Sequence, residues 1–121
     1  KISHNASHPE REKEISEFLV SNPGVDAVIF GTNYLAINGL QAIKKLNLQI
    51  PYDIAVISFD DNDYFQLITP EITTIAQPTD AFAREITRKL LDNILGKEVE
   101  MSETVLKTTL IERASSLPIS K

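Results

Sequence analysis

Residues 25–61 read VDAVIFGTNYLAINGLQAIKKLNLQIPYDIAVISFDD, and this stretch decides the fold. Val25 to Phe30 is a short run dominated by β-branched and aromatic residues, bounded by Gly24 and Gly31. It reads as a strand buried on both faces. Thr32 or Asn33 caps the next helix, whose buried face is expected at Leu35, Gly39, Ala42, Ile43 and Leu46. Asn47 suits the left-handed closing position. Ile50-Pro51-Tyr52-Asp53 is a turn, and Ile54 to Phe59 is a second continuous apolar strand. Strand, helix and strand within about 35 residues form a βαβ unit, so the strands are expected parallel with a right-handed crossover.

Working outward, Ser7-His8-Pro9-Glu10 reads as a helix start, with Ser7 as cap and Glu10 completing a capping box. Ile15, Phe18 and Leu19 give that helix an apolar stripe, with Arg11, Glu12, Lys13 and Glu17 facing water. Asn22-Pro23-Gly24 ends it. Downstream, Tyr64 to Ile68 reads as a short helical turn and Ile72 to Ala76 as an extended segment. A long helix from about Asp80 to Leu95, closed by Gly96, carries the stripe Phe82, Ile86, Leu90 and Ile94. Thr104 to Glu112 has the character of an edge strand, and Ser115 to Lys121 that of a frayed tail. The order of elements implies an α/β layered sheet.

Composition limits the chemistry. The 121 residues suit one domain, and 42% hydrophobic content is sufficient for a packed core. The absence of cysteine excludes disulfides, thiolate catalysis and Cys-based metal sites, and fits a reducing cytosol. A net charge of −5 argues against this chain gripping DNA itself, since phosphate backbones require a basic face. No apolar run reaches the roughly 20 residues that span a bilayer. Four glycines, at 24, 31, 39 and 96, form no phosphate-binding loop, dinucleotide fingerprint or nucleophile elbow.

In parallel α/β sheets, ligands sit outside the carboxyl ends of the strands. The two strands end in Gly31-Thr32-Asn33 and Asp60-Asp61-Asn62. If they are neighbours, Asn33 and Asp60 project into one crevice and offer fixed donors and acceptors to sugar hydroxyls or nucleobase edges. The plainer alternative leaves both as caps of their own turns. Asp60-Asp61-Asn62-Asp63 also admits a divalent-cation site or a phosphoryl-transfer aspartate. The calcium-loop pattern fails for want of Gly and Glu at its sixth and twelfth positions. His4 and His8 are four apart, but His8 precedes Pro9 at a loop-to-helix junction, so plain surface histidines are expected.

The series Asp26 to Phe30, Asn33, Leu35-Ala36, Gly39 to Ile43, Leu46, Ile50-Pro51, Asp53 to Ile57, Phe59-Asp60-Asp61, Thr69-Pro70, Ile72 to Ile75 and Gln77-Pro78 resembles the effector-binding domain of LacI/GalR transcriptional regulators. The likeness covers about residues 10 to 114. It implies a parallel-sheet, three-layer lobe of the type 1 periplasmic-binding-protein-like fold, in which two α/β lobes close on a ligand. Residues 1–121 would form the C-terminal lobe. A helix at about 78–96 would cross to the other lobe, and the DNA-binding domain would lie outside this chain. On this resemblance Asp60 hydrogen-bonds the effector, Asn33 lines the same cleft, and Gln77, in a crossover, reaches the ligand.

The implied protein is a cytoplasmic allosteric sensor, not an enzyme, with no cofactor and no metal. It is expected to be a homodimer, to bind a small effector (a sugar foremost) and to meet DNA only through the other domain, with no membrane partner. The alternatives are a sugar-binding protein for transport and a metal-dependent phosphoryl-transfer enzyme using Asp60 and Asp61. Two positions depart from the family pattern: Ser58 stands where Gly is usual, and Tyr34 where an acidic residue usually follows the Asn. Without its other lobe, the helix at 80–95 is expected to pack on a second copy or fold back on its own lobe.

Overall fold

The computed structural model describes residues 7–97 and 103–117. The elements are α1 (His8–Ser21), β1 (Ala27–Phe30), α2 (Asn33–Lys45), β2 (Ala55–Phe59), α3 (Tyr64–Leu67), β3 (Thr73–Ala76), α4 (Thr79–Ile94) and β4 (Thr109–Ile111), followed by a 3-10 turn at Ala114–Ser116. They form one four-stranded sheet in the order β1-β2-β3-β4. β1 pairs with β2 and β2 with β3 in parallel, placing Phe30 beside Ser58 and Ser58 beside Thr74. β4 joins as an antiparallel edge, with Leu110 opposite Ile75. The α/β periplasmic-binding-protein-like fold implied by the sequence is the fold observed, with its parallel core extended by that one antiparallel strand.

Local chemistry explains the elements. The Glu10 carboxylate accepts from the Ser7 backbone N–H and hydroxyl, both at 2.7 Å, which fixes the start of α1. These hydrogen bonds hold the Glu10 carboxyl below its usual range. The Thr32 hydroxyl accepts from the Leu35 N–H at 3.3 Å and caps α2. Asn47 closes that helix with φ 55°, and Gly96 follows α4 with φ 69°. Among the described residues, two peptide bonds are cis, Ile50-Pro51 and Thr69-Pro70.

The core joins Ile15 and Leu19 of α1, Phe30 of β1, Ala36, Ala42 and Ile43 of α2, Val56 of β2, and Ile54, Phe65 and Ile72. α1 packs on α2, and α2 on β1 and β2. The close approach of α2 to β1 depends on Gly39, because the Phe30 ring occupies the space a Cβ there would need.

Several expectations are corrected. β1 is not buried on both faces: Phe30 packs against α2, while Ile29, on the opposite side, is 66% exposed. β1 is an edge strand, and among the described residues no helix covers that side of it. Phe18 is exposed, leaving Ile15 and Leu19 as the buried positions of α1. In α2 the fully buried positions are Ala36, Asn38, Gly39, Ala42 and Ile43, with Leu35 and Leu46 half-buried. α4 buries none of its residues and does not fold back on the lobe. The expected tail fraying fails at Ser115, which is wholly buried. Its hydroxyl donates to the Val56 carbonyl at 2.6 Å and accepts from the Thr73 N–H at 2.8 Å, stitching the C-terminal turn to β2 and β3. The rest of that tail, residues 118–121, and His4 lie outside the described residues.

Candidate functional site

The parallel strands β1, β2 and β3 end side by side, and each hands over to a loop at the same edge of the sheet. That edge holds a cleft of about 450 Å³ lined by Asn33, Asp60, Asp61, Asn62, Ala76, Gln77 and Thr79. The volume falls in the range of small-molecule sites. All three residues proposed from the sequence, Asn33, Asp60 and Gln77, meet here. Asn33 is the first residue of α2 and half-buried. Asp60 follows β2 in a left-handed conformation, φ 66°, which a short polar residue tolerates better than a branched one. Its N–H donates to the Ile75 carbonyl at 3.1 Å, tying the turn to β3. Gln77 Nε2 donates to Asp60 Oδ1 at 2.5 Å, so carboxylate and carboxamide already face each other across the loops.

Asp61 plays a different part. Arg113 Nη1 donates to Asp61 Oδ1 at 2.8 Å and Nη2 to Oδ2 at 3.2 Å, while the Thr74 hydroxyl donates to Oδ1 at 2.8 Å. Arg113 Nη1 also reaches the Ile72 carbonyl at 2.8 Å. Both Asp61 oxygens are thus engaged from inside the protein, and the Arg113 side chain is only 9% exposed. The Arg113 hydrogen bond holds the Asp61 carboxyl below its usual value; partial burial opposes this and the Thr74 hydroxyl adds to it. A metal or phosphoryl site built on Asp60 and Asp61 together would have to break this arrangement. Among the described residues, no three of His, Cys, Asp and Glu are grouped to hold a metal ion.

Sequence reasoning missed three features around the site and one contact away from it. Asn62 and Thr79 line the cleft beside the residues singled out. Arg113 is 52 positions from the Asp61 it clamps, and no local pattern marks it. Tyr64, at the start of α3, lies near both Tyr34 and Asp60; burial foremost, then these two neighbours, pushes its hydroxyl above the usual value. His8, expected as a plain surface residue, is exposed, yet its Nδ1 lies 2.9 Å from Oδ1 of the buried Asn38.

Chemically, the cleft offers one carboxylate, Asp60, that pairs with no cation among the described residues, and a set of amide and hydroxyl groups. This combination suits a hydroxyl-rich ligand.

Residues 2–116 match the family model described as a periplasmic binding protein-like domain. The HTH-type transcriptional regulator CelR of Thermobifida fusca is 33% identical over 99 residues, which is 82% of this chain and 29% of that protein. The HTH-type transcriptional regulator RegA of Clostridium saccharobutylicum is 31% identical over 103 residues, 85% of this chain and 31% of that protein. Among solved structures, a complex of transcriptional regulator CelR with cellobiose gives a TM-score of 0.82 at 30% identity, covering 91% of this chain and 34% of that one. A periplasmic binding protein/LacI transcriptional regulator from Alkaliphilus metalliredigens QYMF, complexed with D-xylulofuranose, gives 0.82 at 26% identity, covering 97% and 44%. The chain therefore spans less than a third of each of those two curated relatives.

Proposed function

The chain belongs to the periplasmic binding protein-like domain family, and from that footing we propose that residues 1–121 form the C-terminal lobe of the effector-binding domain of a LacI-type transcriptional regulator. The effector is a small carbohydrate. Asp60 accepts hydrogen bonds from its hydroxyls, Gln77 holds the Asp60 carboxylate and reaches the ligand, and Asn33 lines the wall. The observation that carries this reading is the meeting of Asn33, Asp60 and Gln77, each just beyond a different strand, in one cleft at the carboxyl ends of three parallel strands. The CelR–cellobiose and D-xylulofuranose complexes support the choice of carbohydrate.

The mechanism is allosteric. Gln77 and Thr79 line the cleft, and Thr79 is the first residue of α4. Ile86, Leu90 and Ile94 of α4 are more than half exposed, and a second lobe outside this chain would pack there. Covering each is worth roughly 1.5–3 kcal/mol. A ligand held at the root of α4 thus bears on how the two lobes sit. The effector selects one arrangement by its differential affinity, and a homodimer in the cytoplasm passes that choice to DNA-reading domains elsewhere in the protein.

The test uses the full-length protein: thermal shift against sugars, sugar phosphates and purines, with and without magnesium, then DNA binding with the best ligand. A metal-independent shift for a sugar, with Asp60→Ala losing the response but keeping DNA binding, is expected. A shift that requires magnesium and no sugar would overturn the sensor in favour of an acidic-site enzyme. A normal response in Asp60→Ala would remove Asp60 from the site.

A further inference from the structure

Asp60 is aimed into the cleft by its backbone. A φ of 66° is unfavourable for a residue with a Cβ and persists where the surroundings over-determine it. Two attachments do so here. Before Asp60, Ser58 and Phe59 of β2 lie in register with Thr74 and Ile75 of β3, and the Asp60 N–H continues that pairing to the Ile75 carbonyl. After it, the Asp61 carboxylate is gripped by the Arg113 fork and by the Thr74 hydroxyl. Asp60 is thus suspended between two fixed points that both refer to β3. Gln77, which donates to the Asp60 carboxylate, follows the end of the same strand.

Arg113 is itself locked to β3. Its Nη1 donates to the Ile72 carbonyl at 2.8 Å and to Thr74 Oγ1 at 3.2 Å. Its backbone N–H donates to the Thr73 hydroxyl at 2.8 Å, and that hydroxyl donates to the Arg113 carbonyl at 2.9 Å. Main chain and guanidinium together close a frame around Ile72, Thr73 and Thr74. Neither Arg113 nor Thr74 lines the cleft. Their bonds to the carboxylate of Asp61 instead fix where the chain lands after the left-handed turn.

We propose that Arg113 is a positioning residue of this cleft: through Asp61, and with Thr74, it holds Asp60 in the left-handed turn that sets its carboxylate beside Gln77. The role rests on the reading of Asp60 as the effector's hydrogen-bond acceptor and deepens it, because affinity is then governed by a residue the ligand never meets. The fork of the guanidinium is the part that matters. An ammonium at the same place keeps the charge but cannot span both Asp61 oxygens.

The experiment compares the full-length wild type with Arg113→Lys, Thr74→Val and Thr74→Ser, each alone and combined with Asp60→Asn, which keeps one acceptor oxygen. All are measured well below their melting temperatures. Isothermal titration uses cellobiose and D-xylulose as probes. Amide hydrogen exchange of the ligand-free protein is read at Asp60 and Asp61 against Ala42 and Ile43 in the core of α2. Arg113→Lys should weaken the bound probe roughly five- to thirtyfold and Thr74→Val roughly three- to tenfold, while Thr74→Ser stays within about twofold of wild type. Combined with Asp60→Asn, the same changes should cost less than about twofold, since the acceptor they position is already altered. In Arg113→Lys, exchange at Asp60 and Asp61 should quicken about tenfold more than at Ala42 and Ile43. Unchanged affinity in Arg113→Lys together with a lower melting temperature would reduce Arg113 to a structural anchor and overturn the proposal. Equal losses with and without Asp60→Asn would also overturn it, because the effect would then bypass Asp60. If the wild type binds neither sugar, the carbohydrate reading falls and the exchange ratio decides: quickening centred on Asp60 and Asp61 upholds the positioning role, and uniform quickening refutes it.

Discussion

Replacing Asp61 with Asn is a sharp probe of how the ligand-facing loops are held. In the wild type, the Arg113 fork meets both Asp61 oxygens, and the Thr74 hydroxyl adds a third bond. Asn keeps one acceptor and turns the other position into an N–H donor, which then confronts an Arg113 N–H. It also takes the nearer counter-charge from a guanidinium that is only 9% exposed, leaving Glu71 at 4.0 Å. Breaking a buried pair from one side costs about 3–5 kcal/mol. Asp61 is itself 21% exposed, so water relieves part of this, and a loss of about 2–4 kcal/mol is expected. For a domain of this size, at about 4 °C per kcal/mol, the melting temperature drops by roughly 8–16 °C. Thermal unfolding followed by far-ultraviolet circular dichroism reads this directly.

Acid adds an independent check on the same pair. The folded-state pKa of Asp61 is depressed from its ordinary 3.8. The pair's contribution is therefore fully present above the unfolded value and is lost as pH falls through the lower folded value. Wild type should lose stability in acid more steeply than Asp61→Asn, and the two should approach each other at the lowest pH. A neutral-pH difference under about 1 kcal/mol, with parallel acid slopes, would refute the claim that Arg113 and Asp61 brace the loop.

Two further substitutions test the packing that positions the site. A Cβ on Gly39 would lie 1.9 Å from Phe30 Cζ, so Gly39→Ala forces the ring to move. Overpacking of about 1–3 kcal/mol outweighs a helix-propensity gain of about 1 kcal/mol. Denaturant unfolding should show a net loss, partly recovered by adding Phe30→Leu, whereas a stabilised Gly39→Ala would contradict the contact. Ser115→Ala removes the hydroxyl that bridges the Val56 carbonyl and the Thr73 N–H. A loss of about 2 kcal/mol and faster hydrogen exchange at Thr73 are expected, and a loss below about 0.5 kcal/mol would show that water takes over the role.

The fold was legible where periodicity and punctuation agree. From Thr32 to Phe59, the cap, the helical spacing, Asn47 in the left-handed position and a continuous apolar strand all pointed one way, and the parallel pairing of β1 with β2 followed. Where neighbours decide, the pattern misled. An apolar strand such as Ala27–Phe30 looks doubly buried from its residues alone, yet at the sheet edge Ile29 faces outward. Ser115 looked like the start of a frayed end because its partners, Val56 and Thr73, lie 59 and 42 positions away.

The site divides along the same line. Asn33, Asp60 and Gln77 each follow the end of a parallel strand, so the rule that places ligands at carboxyl ends found two of them directly and the family likeness found the third. The same rule gave no way to separate Asp60 from Asp61, two adjacent carboxylates at one strand end. Their roles are set by Arg113, which arrives from beyond β4, neutralises Asp61 and leaves Asp60 turned to the cleft through its left-handed backbone. An Asp-Asp pair that admits a cation site in one dimension thus presents, in three, one carboxylate clamped by Arg113 beside one that lines the cleft. The long-range guanidinium sets that difference, and the chemistry it leaves exposed suits a neutral, hydroxyl-bearing ligand better than a metal ion.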